Sequence, residues 1–201
     1  MDGCSASGSI KGFQTVGGIT GYNDGGTVKN CSSTCSINGS LQVGGIVGDN
    51  TGGTVENCYA TGEVFGDAGN VGGVVGSNYY GTVEGCYFDG IVTDSYSSVH
   101  YGNYFGGVVG SSTDTVSNCY ASGSVYGLEF VGGIIGSNGG ILKNCYATNA
   151  ITGEDEAGGI VGMSGYILSG IENCVALNLS IVRTTKTNTL FAHVIKAESK
   201  T

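Results

Sequence analysis

Cysteine offers the widest range of chemistry in this sequence, and seven of the eight cysteines recur at nearly equal spacing. Successive members of the series are separated by 27, 27, 28, 33, 26 and 29 positions. Thiols can form disulfides, bind metal ions or act as nucleophiles, so their spacing limits what the chain can do. The series comprises Cys4, Cys31, Cys58, Cys86, Cys119, Cys145 and Cys174.

We expect these cysteines to form a column of buried free thiols, although many cysteines in an exported chain often indicate disulfides. Equivalent cysteines on stacked strands would lie about 4.8 Å apart with parallel Cβ directions. A disulfide needs Cβ atoms about 3.5 to 4.5 Å apart and a turned geometry. Cys31 and Cys35 are four positions apart on one predicted strand, too far to bond. A zinc site is not favoured, because there is no Cys-x-x-Cys pair and His100 and His193 stand apart.

Tyrosine follows four of these cysteines, and stacking would align the rings in an outward file. Two interpretations stay open. Flat aromatic strips can hold sugar rings, whereas outward tyrosines also stabilise a sheet through cross-strand contacts. The four residues are Tyr59, Tyr87, Tyr120 and Tyr146.

A second candidate ligand-binding site is the long insertion TDSYSSVHYGNY between Val92 and Phe105. Long loops on a rigid scaffold are where binding residues often collect. The candidate residues of this insertion are Tyr96, His100, Tyr101 and Tyr104.

Catalytic motifs are missing from the sequence: it has no HExxH, no GxSxG and no P-loop. Asp89, Asp94 and Asp114 could bind calcium if loops brought them together, but solvated edge charges are the simpler interpretation. We therefore predict that the protein is not an enzyme, with no catalytic residues, no metal and no cofactor.

The charge distribution excludes several partners. The formal net charge is -9, and no Lys or Arg occurs from Asn30 to Leu142. A nucleic-acid-binding protein needs cationic side chains to displace phosphate counterions, so we expect no nucleic-acid partner. No stretch approaches the roughly 20 apolar residues of a membrane span, which predicts no membrane insertion.

Internal repeats indicate the architecture that positions these side chains. The first glycines of six Gly-Gly pairs are separated by 27, 28, 34, 26 and 26 positions, nearly the spacing of the cysteines. Within a unit, Cys58, Ala60, Gly62 and Val64 alternate with outward residues, a strand pattern. Asn or Gly precedes each later cysteine of the regularly spaced series, which predicts a left-handed corner there.

A unit of about 27 residues cannot bury a core alone, so equivalent strands must stack. We predict an all-β fold, a parallel β-solenoid similar to a right-handed β-helix, with about six to seven coils of roughly 27 residues. One domain would span residues 1–201, with repeats over about 4–181 and a divergent cap or partial coil over 182–201.

The sequence from Val43 to Val64 contains the pattern VGGIVGxNxGGTVxNCYATGxV, which resembles the GLUG repeat of many bacterial cell-surface and adhesin-like proteins. The resemblance covers about Cys4 to Ile181. It implies export, surface display and a repetitive binding or spacer role, and it supplies no catalytic residues. Cys35, the insertion before Phe105 and the tail after Ile181 depart from the pattern.

Two adjacent aliphatic positions in VGGVVG, Val74 and Val75, point to opposite faces of a predicted strand. We expect Val74 to point inward. The Val75 column is then either an exposed stripe that meets a partner or a surface covered by the chain itself.

Together with the absence of catalytic motifs, the resemblance to the GLUG repeat implies a non-catalytic repeat segment of a bacterial surface adhesin, extracellular or at the cell surface as part of a longer exported protein. The segment would act as a ligand-binding surface or a rigid spacer, with a host or microbial surface protein or glycan as its partner. The alternative is a carbohydrate-binding module that uses the outward tyrosines, and a third hypothesis is ice binding by early serines and threonines. Solenoid ends are sheet edges, which also favours end-to-end or lateral self-association.

Overall fold

The computed structural model describes residues 1–94, 103–165 and 169–184. These residues form thirty short β-strands and no helix. The strand pairs are parallel in all four sheets, which run side by side along the molecule.

Each sheet takes one segment from every coil. Sheet A contains Thr27–Lys29, Thr54–Glu56, Thr82–Glu84, Val116–Ser117, Ile141–Lys143 and Gly170–Glu172. Sheet B contains Ser5–Ala6, Ser9–Lys11, Ser32–Ser33, Ser36–Gly39, Tyr59–Ala60, Glu63–Gly66, Tyr87–Thr93, Tyr120–Gly127, Tyr146–Ala147, Ala150–Gly153, Val175–Ala176 and Ser180–Arg183. Sheet C contains Val16–Gly17, Gln42–Gly44, Asn70–Gly72, Tyr104–Gly106, Val131–Gly132 and Ala157–Gly158. Sheet D contains Thr20–Asp24, Val47–Thr51, Val75–Tyr79, Val109–Ser112, Ile135–Asn138 and Val161–Ser164.

The strand register places the same kind of residue above itself from coil to coil. Val55 pairs with Val28 on one side and Val83 on the other. Val116 and Leu142 continue this fully buried column. The predicted all-β parallel solenoid is confirmed, and sheets A, C and D each have six strands. The extent of the domain to residue 201 stays a prediction, because residues 185–201 lie outside the described part.

The corner between sheets A and B is left-handed, as the sequence indicates. Asn57 has φ 51° and Asn118 has φ 55°, and Gly85 takes the same conformation in the coil between them with φ 62°. Asn tolerates this region better than most residues with a side chain, and glycine enters it without a Cβ clash. The corner therefore accepts only these two residue types in this chain; its other members are Asn30, Asn144 and Asn173.

The Gly-Gly pair is required because neither position has space for a side chain. A Cβ on Gly72 would collide with the carbonyl oxygen of Val75, and a Cβ on Gly73 would collide with the Phe88 ring. Gly76, the last residue of VGGVVG, also lacks space, because a Cβ there would meet the backbone of sheet C. The repeated glycines thus allow sheets C and D to pack at backbone contact.

The aliphatic column that includes Val75 belongs to the core. Val47, Val75, Val109 and Ile135 are fully buried, and they lie in one hydrophobic cluster with the inward valines. The alternative of an exposed stripe is therefore wrong for the central coils, where the chain covers this column itself.

Candidate ligand-binding surface

Four tyrosines form a continuous row on the outer face of sheet B, here named the tyrosine file. Tyr59 pairs with Tyr87, Tyr87 with Tyr120, and Tyr120 with Tyr146. Each following residue is buried, so strand alternation turns the tyrosines outward. Successive ring centroids are 5.0, 5.1 and 4.9 Å apart, with interplanar angles of 5°, 12° and 5°. The structure thus brings these four predicted site residues together.

The rings of the tyrosine file cover one another's faces. Face-to-face stacking leaves the ring edges and the phenol hydroxyls toward solvent, and open ring faces remain only at the two ends. Tyr59 is 37% exposed and Tyr146 is 46% exposed, whereas the two inner rings are partly buried. Burial and the neighbouring Tyr146 and Tyr87 raise the pKa of Tyr120, so its hydroxyl keeps its proton and can donate a hydrogen bond. The file therefore offers hydroxyls along its length rather than flat ring faces.

A polar column lies beside the file, two positions further along each strand, so that both point outward. Ser122 Oγ donates a hydrogen bond of 2.8 Å to Asp89 Oδ1 in the preceding coil. Thr61 is exposed, and the Thr148 hydroxyl donates to the carbonyl oxygen of Ala121 over 3.4 Å. Hydroxyl and carboxylate groups thus flank the phenols over the same four coils.

The insertion candidates are only partly within the described residues. Tyr96, His100 and Tyr101 lie outside them. Tyr104 belongs to sheet C, where its ring stacks on Phe130 of the next coil with centroids 5.2 Å apart and an interplanar angle of 27°. Tyr104 therefore contributes to packing between coils and is separate from the tyrosine file on sheet B.

The regularly spaced cysteines form the predicted column of free thiols, but the prediction that all seven are buried is wrong for Cys4, which is exposed in the first coil. All eight cysteines are free, and every one except Cys4 is buried. The backbone N–H of Cys31 donates to Cys58 Sγ over 3.4 Å, and Cys58 Sγ donates to the carbonyl oxygen of Glu56 over 3.2 Å. Hydrogen bonding with the neighbouring thiol and burial raise the pKa of Cys119. The column thus consists of free thiols that form hydrogen bonds with the backbone of the corner.

A column of buried asparagines was not assigned a role from the sequence. Asn23 Nδ2 donates to Asn50 Oδ1 over 2.6 Å, and Asn50 Nδ2 donates to Asn78 Oδ1 over 2.8 Å. Asn78 Nδ2 continues the chain to Ser112 Oγ over 3.0 Å. Each of these three amides also donates to a glycine carbonyl at the turn that follows. The sequence signal for this column is the Asn of the repeated pattern GxNxGG. A buried polar residue must find hydrogen-bond partners, and stacked copies of the same Asn can supply them.

The three carboxylates considered as calcium ligands, Asp89, Asp94 and Asp114, do not form a metal site in the structure. Asp89 accepts from Ser122, and Asp114 Oδ1 accepts from the Thr115 backbone N–H over 2.7 Å. Asp94 is buried. Among the described residues, no group of three or more His, Cys, Asp or Glu side chains is arranged to hold a metal ion. Within the same residues we find no helix that is long and apolar enough to cross a bilayer.

The fold and the stacked columns define the chain as a parallel β-solenoid repeat protein. The family model described as the GLUG motif matches it at residues 14–38, 39–64, 67–98, 101–126 and 131–152. The chain therefore belongs to the GLUG motif family, which is a structural repeat and not a known enzyme family. No significant match was found among curated proteins or among solved structures.

Proposed function

We propose that this chain is a non-catalytic segment of a bacterial surface adhesin, displayed outside the cell as a rigid spacer that also presents ligand-binding surfaces. The single observation that best supports the proposal is the unbroken register of the coils. Equivalent residues pair from coil to coil in all four sheets, so the chain offers one extended body and a repeated outer face. Membership of the GLUG motif family supports the same role, because the repeat resembles those of bacterial surface proteins.

Stiffness is the property that a spacer needs, and three hydrogen-bonded systems supply it here. The parallel backbone ladders join each coil to the next. The asparagine column adds buried amide bonds from Asn23 to Ser112. The thiol column adds contacts at the opposite side of sheet A, such as Cys119 N–H to Cys145 Sγ over 3.3 Å. Bending the rod would break bonds of several kinds together, which opposes flexing.

Charge restricts the partner of this spacer. The coils between Asn30 and Leu142 contain carboxylates and no Lys or Arg. A polyanionic partner would be repelled at short range, whereas an uncharged glycan or a basic protein surface would not. We therefore favour, as the partner, an uncharged host or microbial surface glycan or a host or microbial protein with a basic surface.

The display hypothesis is tested on intact bacteria of the source species. Antibodies raised against the purified segment should label unpermeabilised cells, while antibodies against a cytoplasmic protein should not. Labelling that appears only after permeabilisation would place the segment inside the cell and refute the proposal.

A second candidate function, glycan binding by the tyrosine file, is favoured by one observation. The phenol-bearing rings repeat every 4.9 to 5.1 Å beside the Asp89 and Ser122 column. An extended β-linked polysaccharide advances by a closely similar length for each sugar, so each sugar could meet one phenol hydroxyl. Hydrogen bonding to sugar hydroxyls, rather than stacking on ring faces, would carry the recognition.

Replacing the four file tyrosines by phenylalanine separates the two roles of the file. The substitution removes the hydroxyls and keeps the stack, so stability should persist while retention on a polysaccharide gel is lost. Tyr22→Phe, which removes an exposed hydroxyl from sheet D, is the matched control. Retention that survives the fourfold substitution would eliminate this candidate and leave the file as a stabilising element.

A further inference from the structure

A pair of adjacent tyrosines, Tyr79 and Tyr80, stands at the corner between sheets D and A, away from the tyrosine file. Their side chains are among the exposed large residues, with 46% of Tyr79 and 66% of Tyr80 accessible. The ring centroids are 4.1 Å apart and the rings are inclined at 55°. This tilt leaves ring faces open to solvent, in contrast to the file, where the faces cover each other.

The backbone at Tyr80 adopts a conformation that an aromatic residue rarely takes. Its φ is 53°, and the equivalent positions in the two preceding coils are Gly25 with φ 66° and Gly52 with φ 62°. The register fixes this equivalence, because Thr51 pairs with Tyr79 in sheet D. A left-handed conformation costs free energy for a residue with a Cβ and not for glycine. Strain held at an exposed position points to a role other than stability.

The surroundings make the two rings protrude. On one side, Thr51 and Gly52 are much smaller than the tyrosines that they oppose. On the other side the corner becomes shorter: Val83 follows Asn78 by five positions, whereas Val116 follows Ser112 by four. The Tyr80 N–H donates to Thr113 Oγ1 over 3.2 Å, which attaches the pair to this shorter corner. The rings therefore form a ledge where the outline of the solenoid steps inward.

The chemistry around the ledge selects among ligands. The nearby corner residues Thr51, Thr113 and Asp114 are polar, and the central coils carry no cation. An anionic ligand is therefore disfavoured. Two rings amid polar residues are also far smaller than the roughly 1,000 Å² that a specific protein interface buries. Open aromatic faces beside hydroxyl and carboxylate groups suit the apolar face and the hydroxyl rim of a sugar ring.

We propose that Tyr79 and Tyr80 form a binding platform for the pyranose rings of a neutral glycan. This proposal does not depend on the tyrosine file or on surface display. A hydrogen bond between the two hydroxyls raises the pKa of Tyr79. Tyr80 stands where the two preceding coils have glycine, and its strained backbone directs its ring outward.

Affinity electrophoresis of the purified chain tests the platform. The probes are three soluble neutral polysaccharides, a mixed-linkage β-glucan, a galactomannan and an arabinoxylan, with polygalacturonate as an acidic comparison and choline as a soluble competitor. Tyr80→Gly introduces the glycine that the two preceding coils have at this position. Tyr79→Thr introduces the residue type of its register partner, Thr51. Tyr22→Ala removes a single exposed ring from sheet D as a control. Urea unfolding is measured on every variant.

We expect at least one neutral probe to retard the parent chain and Tyr22→Ala equally. In Tyr80→Gly the apparent Kd should rise by about tenfold or more, while the urea midpoint stays equal or rises. The proposal would be overturned if no neutral probe retarded the parent chain, or if only polygalacturonate did. It would also be overturned if Tyr80→Gly were retarded as strongly as the parent chain, or if that variant had a lower urea midpoint. Retardation that choline abolishes would likewise contradict the proposal. Loss of retardation in the fourfold Phe variant of the file, with Tyr80→Gly unaffected, would assign glycan binding to the file instead.

Discussion

The backbone N–H of Cys58 donates a hydrogen bond to the Sγ atom of Cys86, 3.4 Å away in the next coil. The Cys86 thiol in turn donates to the carbonyl oxygen of Glu84 over 3.3 Å. Sulfur is a weak partner in both directions, but a buried N–H without any partner is costly. Each cysteine therefore fills the corner as a small apolar group and also satisfies the backbone of the neighbouring coil.

Removal of one thiol should destabilise the rod through this lost partner. Cys86→Ala leaves the Cys58 N–H buried without an acceptor, so we expect the free energy of unfolding to fall by about 1–3 kcal/mol. Cys86→Ser keeps a donor and acceptor and should lose less. Cys4→Ala, at the exposed cysteine, is the control and should stay within about 0.5 kcal/mol. Urea unfolding measures all three, and an equal effect at Cys4 and Cys86 would contradict the explanation.

Alkylation should distinguish Cys4 from the buried cysteines. Burial keeps the reagent away from the other seven thiols, whereas Cys4 is exposed to solvent. Peptide mapping after brief iodoacetamide treatment of the native chain should find Cys4 modified first. Uniform labelling of all eight cysteines would contradict this prediction.

The repeat itself made most of the fold predictable. Two markers, the cysteines and the Gly-Gly pairs, share one period, and alternation around Cys58 gives strands without any competing helical pattern. Stacking then fixes the outward tyrosine file and the inward thiol column. The burial of Val75 could not be predicted, because a period of two assigns opposite faces to Val74 and Val75 and cannot detect that sheets C and D meet at backbone contact.

The candidate site was less predictable than the fold. The sequence places Tyr59 and Tyr87 in one column, but sequence spacing does not give ring orientation, and face-to-face stacking decides which atoms a ligand can reach. The importance of Tyr80 depends on its positive φ, which the sequence does not give. The significance of that angle becomes clear only when Tyr80 is aligned with Gly52 in the preceding coil. Asn50 was visible in the repeat, yet its role requires the partner that lies one coil away.

The asparagine column should be sensitive to a nearly isosteric change. Asn50→Asp removes the donor that reaches Asn78 Oδ1 and Gly53 O and adds a buried charge. We expect a loss of about 2 kcal/mol or more in the free energy of unfolding. Asp49→Asn makes the reverse change at the adjacent position, where the Oδ1 acceptor of Thr51 is kept, and should stay within about 0.5 kcal/mol. If chemical denaturation gave equal losses of unfolding free energy for Asn50→Asp and Asp49→Asn, the hydrogen bonds of the asparagine column would not explain the effect.

The left-handed corner should discriminate between glycine and alanine. Asn57 has φ 51°, and Gly85 occupies the same corner one coil later with φ 62°. Asn57→Gly should change the free energy of unfolding little, because glycine has no Cβ, whereas Asn57→Ala keeps the Cβ and loses the short polar side chain that makes the left-handed region tolerable, so we expect a loss of about 1 kcal/mol. Thermal and urea unfolding of the two variants measure the difference. If alanine were tolerated as well as glycine, the conformation would not be the reason for the Asn and Gly preference.

Deletion of one whole coil should leave a folded, shorter rod. Removing residues 28–54, which are 27 residues, joins Thr27 to Val55, and Thr27 then takes the position of its register partner Thr54. The Asn and Cys columns close again, because Asn23 meets Asn78 and Cys4 meets Cys58. We expect a parallel β circular dichroism spectrum, cooperative unfolding and a rod shorter by about 5 Å in solution scattering. Removal of residues 28–41 places sheet C residues at sheet A positions and should prevent folding. A rod that tolerated both deletions equally would not depend on the register of its columns, and the stiffness proposed for the spacer would lose its physical basis.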